Sequence, residues 1–203
     1  NCSSVAVSVQ NAIIDLTAAE LQGNYAGLIT LSGGVINAHS VKISGCDYGI
    51  NSGGAVVINA EEAVIQNNRI VGILANSGAS INAKRANINS NAVGVISSRG
   101  AVVDVSNANI NLSTSQSISA QIGGTIIADA TNYRKDTASD SNVDMSLSGY
   151  STIIATNSIG GVSQKSDVPT EKGIVVKGIK SKSSGTVVIP QNTTSITVSH
   201  GLG

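Results

Sequence analysis

The sequence predicts an all-β fold, a right-handed single-stranded parallel β-helix with coils of about 22 residues. Three observations carry this. The tetrapeptide Val-Ile-Asn-Ala occurs at Val35–Ala38 and again at Val57–Ala60, with Ser-Ile-Asn-Ala at Ser80–Ala83 and Val-Asp-Val at Val103–Val105. Ile43, Ile65, Ile88 and Ile110 lie 22, 23 and 22 residues apart, and Gly27, Gly49, Gly72 and Gly94 repeat those intervals. Within each unit the apolar runs are short and separated by Gly, Asn and Ser, too brief for helices and suited to strands and turns. The composition agrees: aromatic content is 2% with no Trp and no Phe, as a thin core of small and β-branched side chains requires.

Aligned coil upon coil, four columns are expected to face inward. They are Leu16, Ala38, Ala60, Ala83 and Val105; then Ala19, Val41, Ala63, Ala86 and Ala108; then Leu21, Ile43, Ile65, Ile88 and Ile110; then Leu28, Ile50, Ile73 and Val95. Small and large residues keep to separate columns, which suits close packing of successive coils. Asp15, Asn37, Asn59, Asn82 and Asp104 alternate with inward positions and face out. The outward columns of strands one and two read as largely polar. Asn24, Cys46, Asn68, Asn91 and Ser113 fall where each coil turns, a place where Asn tolerates left-handed backbone and can bond to its counterpart in the next coil.

Taken in order, residues 3–12 form a partial coil, coil one runs Ile13–Leu31, and coils two to five reach about residue 122. Coil six begins at Thr125, with Tyr133 in the isoleucine column. The expected division is residues 1–131 as the β-helix, 132–184 as irregular closing coils or linker with strands near 151–155 and 173–176, and 185–203 as a C-terminal hairpin that starts a small β-domain. The formal net charge of +0 gives no reason to expect nucleic acid or an anionic membrane as partner. No apolar run is long enough to span a bilayer. The opening Asn1-Cys2-Ser3-Ser4 reads as the edge of a longer protein. Cys2 and Cys46 share a turn column two coils apart, roughly 10 Å at the sheet spacing, so both are expected as free thiols.

The end of the chain carries a resemblance. Gly160-Gly161-Val162-Ser163-Gln164 followed by Gly173-Ile174-Val175-Val176 resembles the segment that closes the β-helix in bacteriophage tail fibres and tailspikes. Gly185–Gly203 resembles the start of a small β-domain of phage tail proteins, whose opening hairpin closes on the pattern seen at Val198–Leu202. The coils themselves resemble pectate-lyase-like β-helices in general. The resemblance implies a homotrimeric virion component, assembled in the host cytoplasm and then extracellular, whose partners are other tail proteins and bacterial surface polysaccharide. It also implies that some members cleave that polysaccharide.

Catalysis of that kind needs two carboxylates free of structural duty. One coil on from Glu20 stands Lys42, from Asp47 Arg69, from Glu61 Lys84, and from Glu62 Arg85. This regularity reads as ion ladders along the axis rather than as a site. Asp15 and Asp104 share a column four coils apart, about 19 Å, too far to cooperate. Asp136, Asp140 and Asp144 cluster outside the ladder and are the weak catalytic candidates, with a solvated loop as the plainer reading. His39 stacks on Glu61, and His200 stands at a strand end; neither has a nucleophile partner. No metal-ligand set and no cofactor motif is found. Tyr25 and Tyr48, one coil apart, are the weak glycan-contact candidates, with a purely structural stack as the plainer reading.

Strand three suggests an interface. If Leu28, Ile50, Ile73 and Val95 point inward, then Ile29, Asn51, Leu74 and Ile96 point outward as a mostly apolar stripe, expected to line a trimer axis. The alternative is a flank covered by residues 134–184. For function, the leading expectation is a non-catalytic structural and host-attachment part of a phage tail. A capsule or O-antigen depolymerase with its site between subunits or upstream of Asn1, and a secreted bacterial adhesin, stand behind it.

Overall fold

The structure is a computed structural model and describes residues 4–135, 145–157, 164–166 and 174–177. It is an all-β parallel solenoid of three sheets. Coils one to six each contribute one strand to each sheet, as coil two does with Val35–Asn37, Lys42–Ser44 and Tyr48–Ser52. Sheet one gathers the first strands from Ile13–Asp15 to Ile174–Lys177, and sheet two the second strands from Glu20–Gln22 to Asn132–Lys135. Sheet three gathers the third strands and opens with Val5–Gln10. The backbone therefore finds its hydrogen-bond partners one coil away, which is why strands of three residues suffice.

The predicted register holds. Ile43, Ile65, Ile88, Ile110 and Tyr133 pair in succession along sheet two. The first four are fully buried, as are Ile50, Ile73 and Val95 in sheet three. A further inward column, Ile36, Ile58, Ile81, Val103, Ile126 and Ile153, runs through sheet one. Pairing also continues beyond residue 131: Met145–Ser148 and Gln164–Ser166 extend sheet three, and Thr152–Thr156 and Ile174–Lys177 extend sheet one. Cys2 and the hairpin expected over 185–203 lie outside the described residues; Cys46 is a buried free thiol.

Two expectations are corrected. The left-handed residue at the corner between sheets two and three is Gly23, Gly45, Asn67 or Ser90, one position before the column Asn24, Cys46, Asn68 and Asn91. That column turns inward instead. Asn68 and Asn91 are buried and form an amide ladder: Asn91 Oδ1 accepts from the Asn68 backbone N–H at 3.0 Å and from Asn68 Nδ2 at 2.9 Å. Asn68 Oδ1 in turn accepts from the Cys46 N–H at 3.1 Å, and Asn91 Nδ2 donates to the Ile65 carbonyl at 3.0 Å. Asn is used here for its donors and acceptors, which satisfy turn backbone that burial has removed from water.

The second correction concerns sheet one. Its first outward column is largely apolar rather than polar: Ile13, Val35, Val57 and Val102 are 86%, 47%, 54% and 37% exposed, with Ser80 between the last two and Thr125 after them.

The glycine column explains why its spacing copies that of the isoleucines. A methyl group at Gly72 would lie 2.7 Å from the Gly94 carbonyl oxygen, 2.9 Å from Asn91 Nδ2 and 3.0 Å from Ile88 Cγ2. At Gly94 it would meet Ile110 Cγ2 at 2.6 Å and Ser113 Oγ at 3.3 Å. Glycine, amide and isoleucine thus interlock, each coil filling the space that the previous glycine leaves. Ser113 stands where the next amide would be, and its buried hydroxyl has no partner among the described residues. Ser113→Asn is therefore expected to extend the ladder and to stabilise the fold by about 1 kcal/mol, read as a rise in Tm.

Candidate functional site

What chemistry the surface can perform depends on whether its carboxylates are free. Lys42 Nζ reaches Glu20 Oε1 at 2.7 Å, and Arg69 grips Asp47 through Nε and Nη2, each at 2.8 Å. Arg85 Nη2 bridges Glu61 at 2.9 Å and Glu62 at 3.0 Å. The expected Glu62–Arg85 pair is thus formed, but Glu61 also turns to Arg85 and Lys84 reaches Asp104 at 3.2 Å. Arg85, in left-handed backbone like Glu62, projects so that one guanidinium serves both acids. His39 faces Glu62 at 3.6 Å rather than Glu61.

Asp15 and Asp104 do different work. Asp15 Oδ1 accepts from the Thr17 N–H at 2.9 Å and hydroxyl at 2.6 Å, and from Asn37 Nδ2 at 3.2 Å. Asn59 donates to Asn37 and Asn82 to Asn59 at 3.3 and 3.2 Å, so this outward ladder ends on Asp15 as pure acceptor. Asp104 Oδ1 caps Ser106, and Asp129 accepts from Thr156 and from Asn157 Nδ2 at 3.4 Å. Asp136, Asp140, Asp144 and His200 lie outside the described residues. No group of three or more His, Cys, Asp or Glu poised for a metal occurs among the described residues.

The hydrogen bonds of Thr17 hold the Asp15 carboxyl below the ordinary carboxylate range, those of Lys42 do the same to Glu20, and those of Arg69 to Asp47. Lowered folded values place the sign: this stabilisation is present above the ordinary carboxylate range and is lost as pH falls through the folded values. Tm is expected to stay level from neutral pH down to that range and then to drop. High salt should flatten the part of the drop owed to Glu20 and Asp47, and leave the part owed to Asp15's hydrogen bonds. Thermal melts across pH at two ionic strengths check this.

Tyr25 and Tyr48 pack edge to face with ring centroids 5.5 Å apart, so the two residues do meet. Burial raises the Tyr48 phenol above its ordinary value, with the Tyr25 ring and Asp47 adding to this. Ile29, Asn51, Leu74 and Ile96 pair in succession along sheet three, point outward and are each half-buried. The column continues through Ser119 and Ser146, both buried.

A surface that the pattern reading passed over lies on sheet two. Asn87, Asn109 and Asn132 continue one outward column from Val64, and Asn89 and Asn111 continue the other from Gln66. From coil three to coil six the two columns carry six side-chain amides and, up to Asn132, no charge. The signal was available: Ile88 and Ile110 were placed inward, so their neighbours on both sides had to face out.

Compared with known proteins, the chain matches no family model and no curated protein sequence.

Proposed function

We propose that this chain is a rigid, non-catalytic attachment rod of the phage tail-fibre and tailspike kind, trimeric and bound to bacterial surface polysaccharide. The observation that carries the non-catalytic part is the engagement of the acids. Asp15, Glu20, Asp47, Glu61, Glu62, Asp104 and Asp129, all the carboxylates among the described residues, are held in ion pairs or turn hydrogen bonds. Hydrolysis of a glycosidic bond needs two carboxyl groups flanking an open cleft. These are spread along the axis as a ladder. The parallel solenoid itself suits a structural or adhesive role, since continuous sheets transmit force along its length. The closing motifs at Gly160–Gln164 and Val198–Leu202 support the tail-fibre reading.

The trimer rests on the stripe Ile29, Leu74 and Ile96, with Asn51 able to bond to its symmetry copies at the same level. Leu31 and the exposed column Ile13, Val35 and Val57 adjoin it around the corner and widen the apolar area. Ile29, Leu74 and Ile96 are already half-buried, so completing their burial contributes only part of the roughly 1.5–3 kcal/mol that each is worth when taken from full exposure. Light scattering is expected to report a trimer for wild type and monomers for Leu74→Asp combined with Ile96→Asp. A monomeric wild type, or a double variant still trimeric, overturns the assignment. Incubation with capsular polysaccharide or lipopolysaccharide is expected to release no new reducing ends; release of oligosaccharide makes the chain a depolymerase instead.

A further inference from the structure

We propose that the outer face of sheet two, centred on Asn87, Asn89, Asn109 and Asn111, is the surface that holds a neutral polysaccharide chain. The inference rests on the attachment reading above and assigns it a place.

Three features of the face select the ligand. Its groups are side-chain amides; the oxygens of Asn87, Asn89 and Asn109 already accept within the protein and that of Asn111 is buried, so the face presents chiefly N–H donors, which suit the oxygens of adjacent sugar hydroxyls. It carries no charge between Val64 and Asn132, so it has no purchase on phosphate or on an acidic polymer. Among its described side chains Val64 is the one large apolar residue, so the face does not resemble the buried centre of a protein–protein contact. A neutral, hydroxyl-rich ligand remains.

Geometry favours a chain over a single sugar. The amide rows repeat at the coil spacing, about 4.8 Å, and the two columns stand two residues apart on one strand, about 7 Å. A polymer laid along the axis meets a fresh row of amides at each coil. Part of this capacity is already preorganised: Asn89 Nδ2 donates to Asn87 Oδ1 at 2.6 Å, and Asn132 Nδ2 lies 3.4 Å from Asn109 Oδ1. These contacts fix the amide planes and leave further donors for a ligand. Single neutral hydrogen bonds are weak in water, so affinity has to come from many rows engaged together, and it grows with the length of the sugar chain.

The fold supplies its own control substitutions. Val64 already occupies the column of Asn87 and Asn109, and Ser44 that of Asn89. Asn87→Val, Asn89→Ser and Asn109→Val together therefore remove three amides using residues that those columns accept. The test is biolayer interferometry on a panel of purified neutral and acidic capsular and O-chain polysaccharides, with oligosaccharides of increasing length cut from any that bind. Wild type is expected to bind at least one neutral polysaccharide, more tightly with each added repeat. The triple variant is expected to lose at least tenfold in affinity with its Tm unchanged. Asn109→Val alone, at an exposed position, is expected to lose a few-fold and serves if the triple variant does not fold. Variants that bind like wild type overturn the amide face while leaving the attachment reading standing. Loss on Tyr25→Ala with none on the amide variants moves the site to the tyrosine corner. Wild-type binding to acidic polysaccharides alone overturns the ligand class. A wild type that binds no polysaccharide overturns the attachment reading along with the face.

Discussion

Gly49→Ala is expected to destabilise the solenoid by about 3 kcal/mol or more, a large share of the stability of an ordinary domain. The added methyl would lie 2.5 Å from the Gly72 carbonyl oxygen and 2.6 Å from Ile65 Cγ2. The first of these is backbone in a hydrogen-bonded sheet and the second belongs to a fully buried side chain, so neither can swing aside. Relief requires coils two and three to move apart, which breaks the sheet pairing on either side of the glycine. Gly49 has no positive φ, so backbone strain does not enter and the cost is contact alone. Gly78→Ala makes the contrast. At Gly78 no atom lies within 4 Å of the added methyl and φ is +80, so the cost there is the smaller one of left-handed backbone. Urea melts of the two variants should separate them clearly; equal losses would mean that the glycine column is not a packing device.

Asn91→Ala is expected to cost about 3–5 kcal/mol, although it leaves no large cavity. The loss lies in hydrogen bonding. With Asn91 Oδ1 gone, the buried Asn68 N–H and amide lose their acceptor, and the Ile65 carbonyl loses its side-chain donor. Each buried group left unpaired costs about 1–3 kcal/mol. Asn91→Asp sharpens the test. An ionised carboxylate still accepts from Asn68 but has nothing to donate to Ile65 O, whereas the protonated acid restores that donor. Burial raises the folded-state pKa of the new acid above its unfolded value. The variant should therefore be most stable in acid and lose stability as pH rises through the folded value, opposite in sign to the surface ion ladder. A melting series showing no such reversal would mean that the ladder is not satisfied as described.

Much of the fold was legible because a solenoid writes its contacts into the sequence at one fixed interval. Ile43, Ile65, Ile88 and Ile110 are buried neighbours because each is a coil away from the next, so subtraction alone locates them. What the interval could not supply is the direction of a side chain within a turn. Asn68 and Asn91 were placed at the corner, yet whether they point out or in depends on which residue takes the left-handed conformation, and Asn67 and Ser90 take it. The ion pairs show the same limit one level up. The interval places Glu61 beneath Lys84, but long flexible side chains choose partners by reach, so Arg85 takes two acids and Lys84 passes on to Asp104. The exposed column Ile13, Val35 and Val57 is hidden for a plainer reason: the other outward column of the same strand, Asp15, Asn37 and Asn59, is polar and lends its character to the whole face.

The corner between sheets two and three has one further property. Cys46 and Asn68 are matched 22 residues apart, but Tyr48 pairs with Val71 at 23. The surplus residue is Ile70, which bulges so that both its N–H and that of Val71 donate to the Asp47 carbonyl, at 2.9 and 3.2 Å. Coil five lengthens at the same corner, since Asn89 pairs with Asn111 at 22 and Val93 with Gln116 at 23. The next step in sheet three, Ile118 to Met145, is 27, and the growth falls after Arg134, once more where the chain leaves sheet two for sheet three. Between Ile14 and Ile153 the length variation thus falls at this one corner of the rod, and the other two corners keep a fixed length. That edge borders the amide face and carries Tyr25 and Tyr48. The corner takes one surplus residue in coils three and five and five in coil six while the paired columns on either side keep their register, so residues inserted there are expected to leave the packed core as it is.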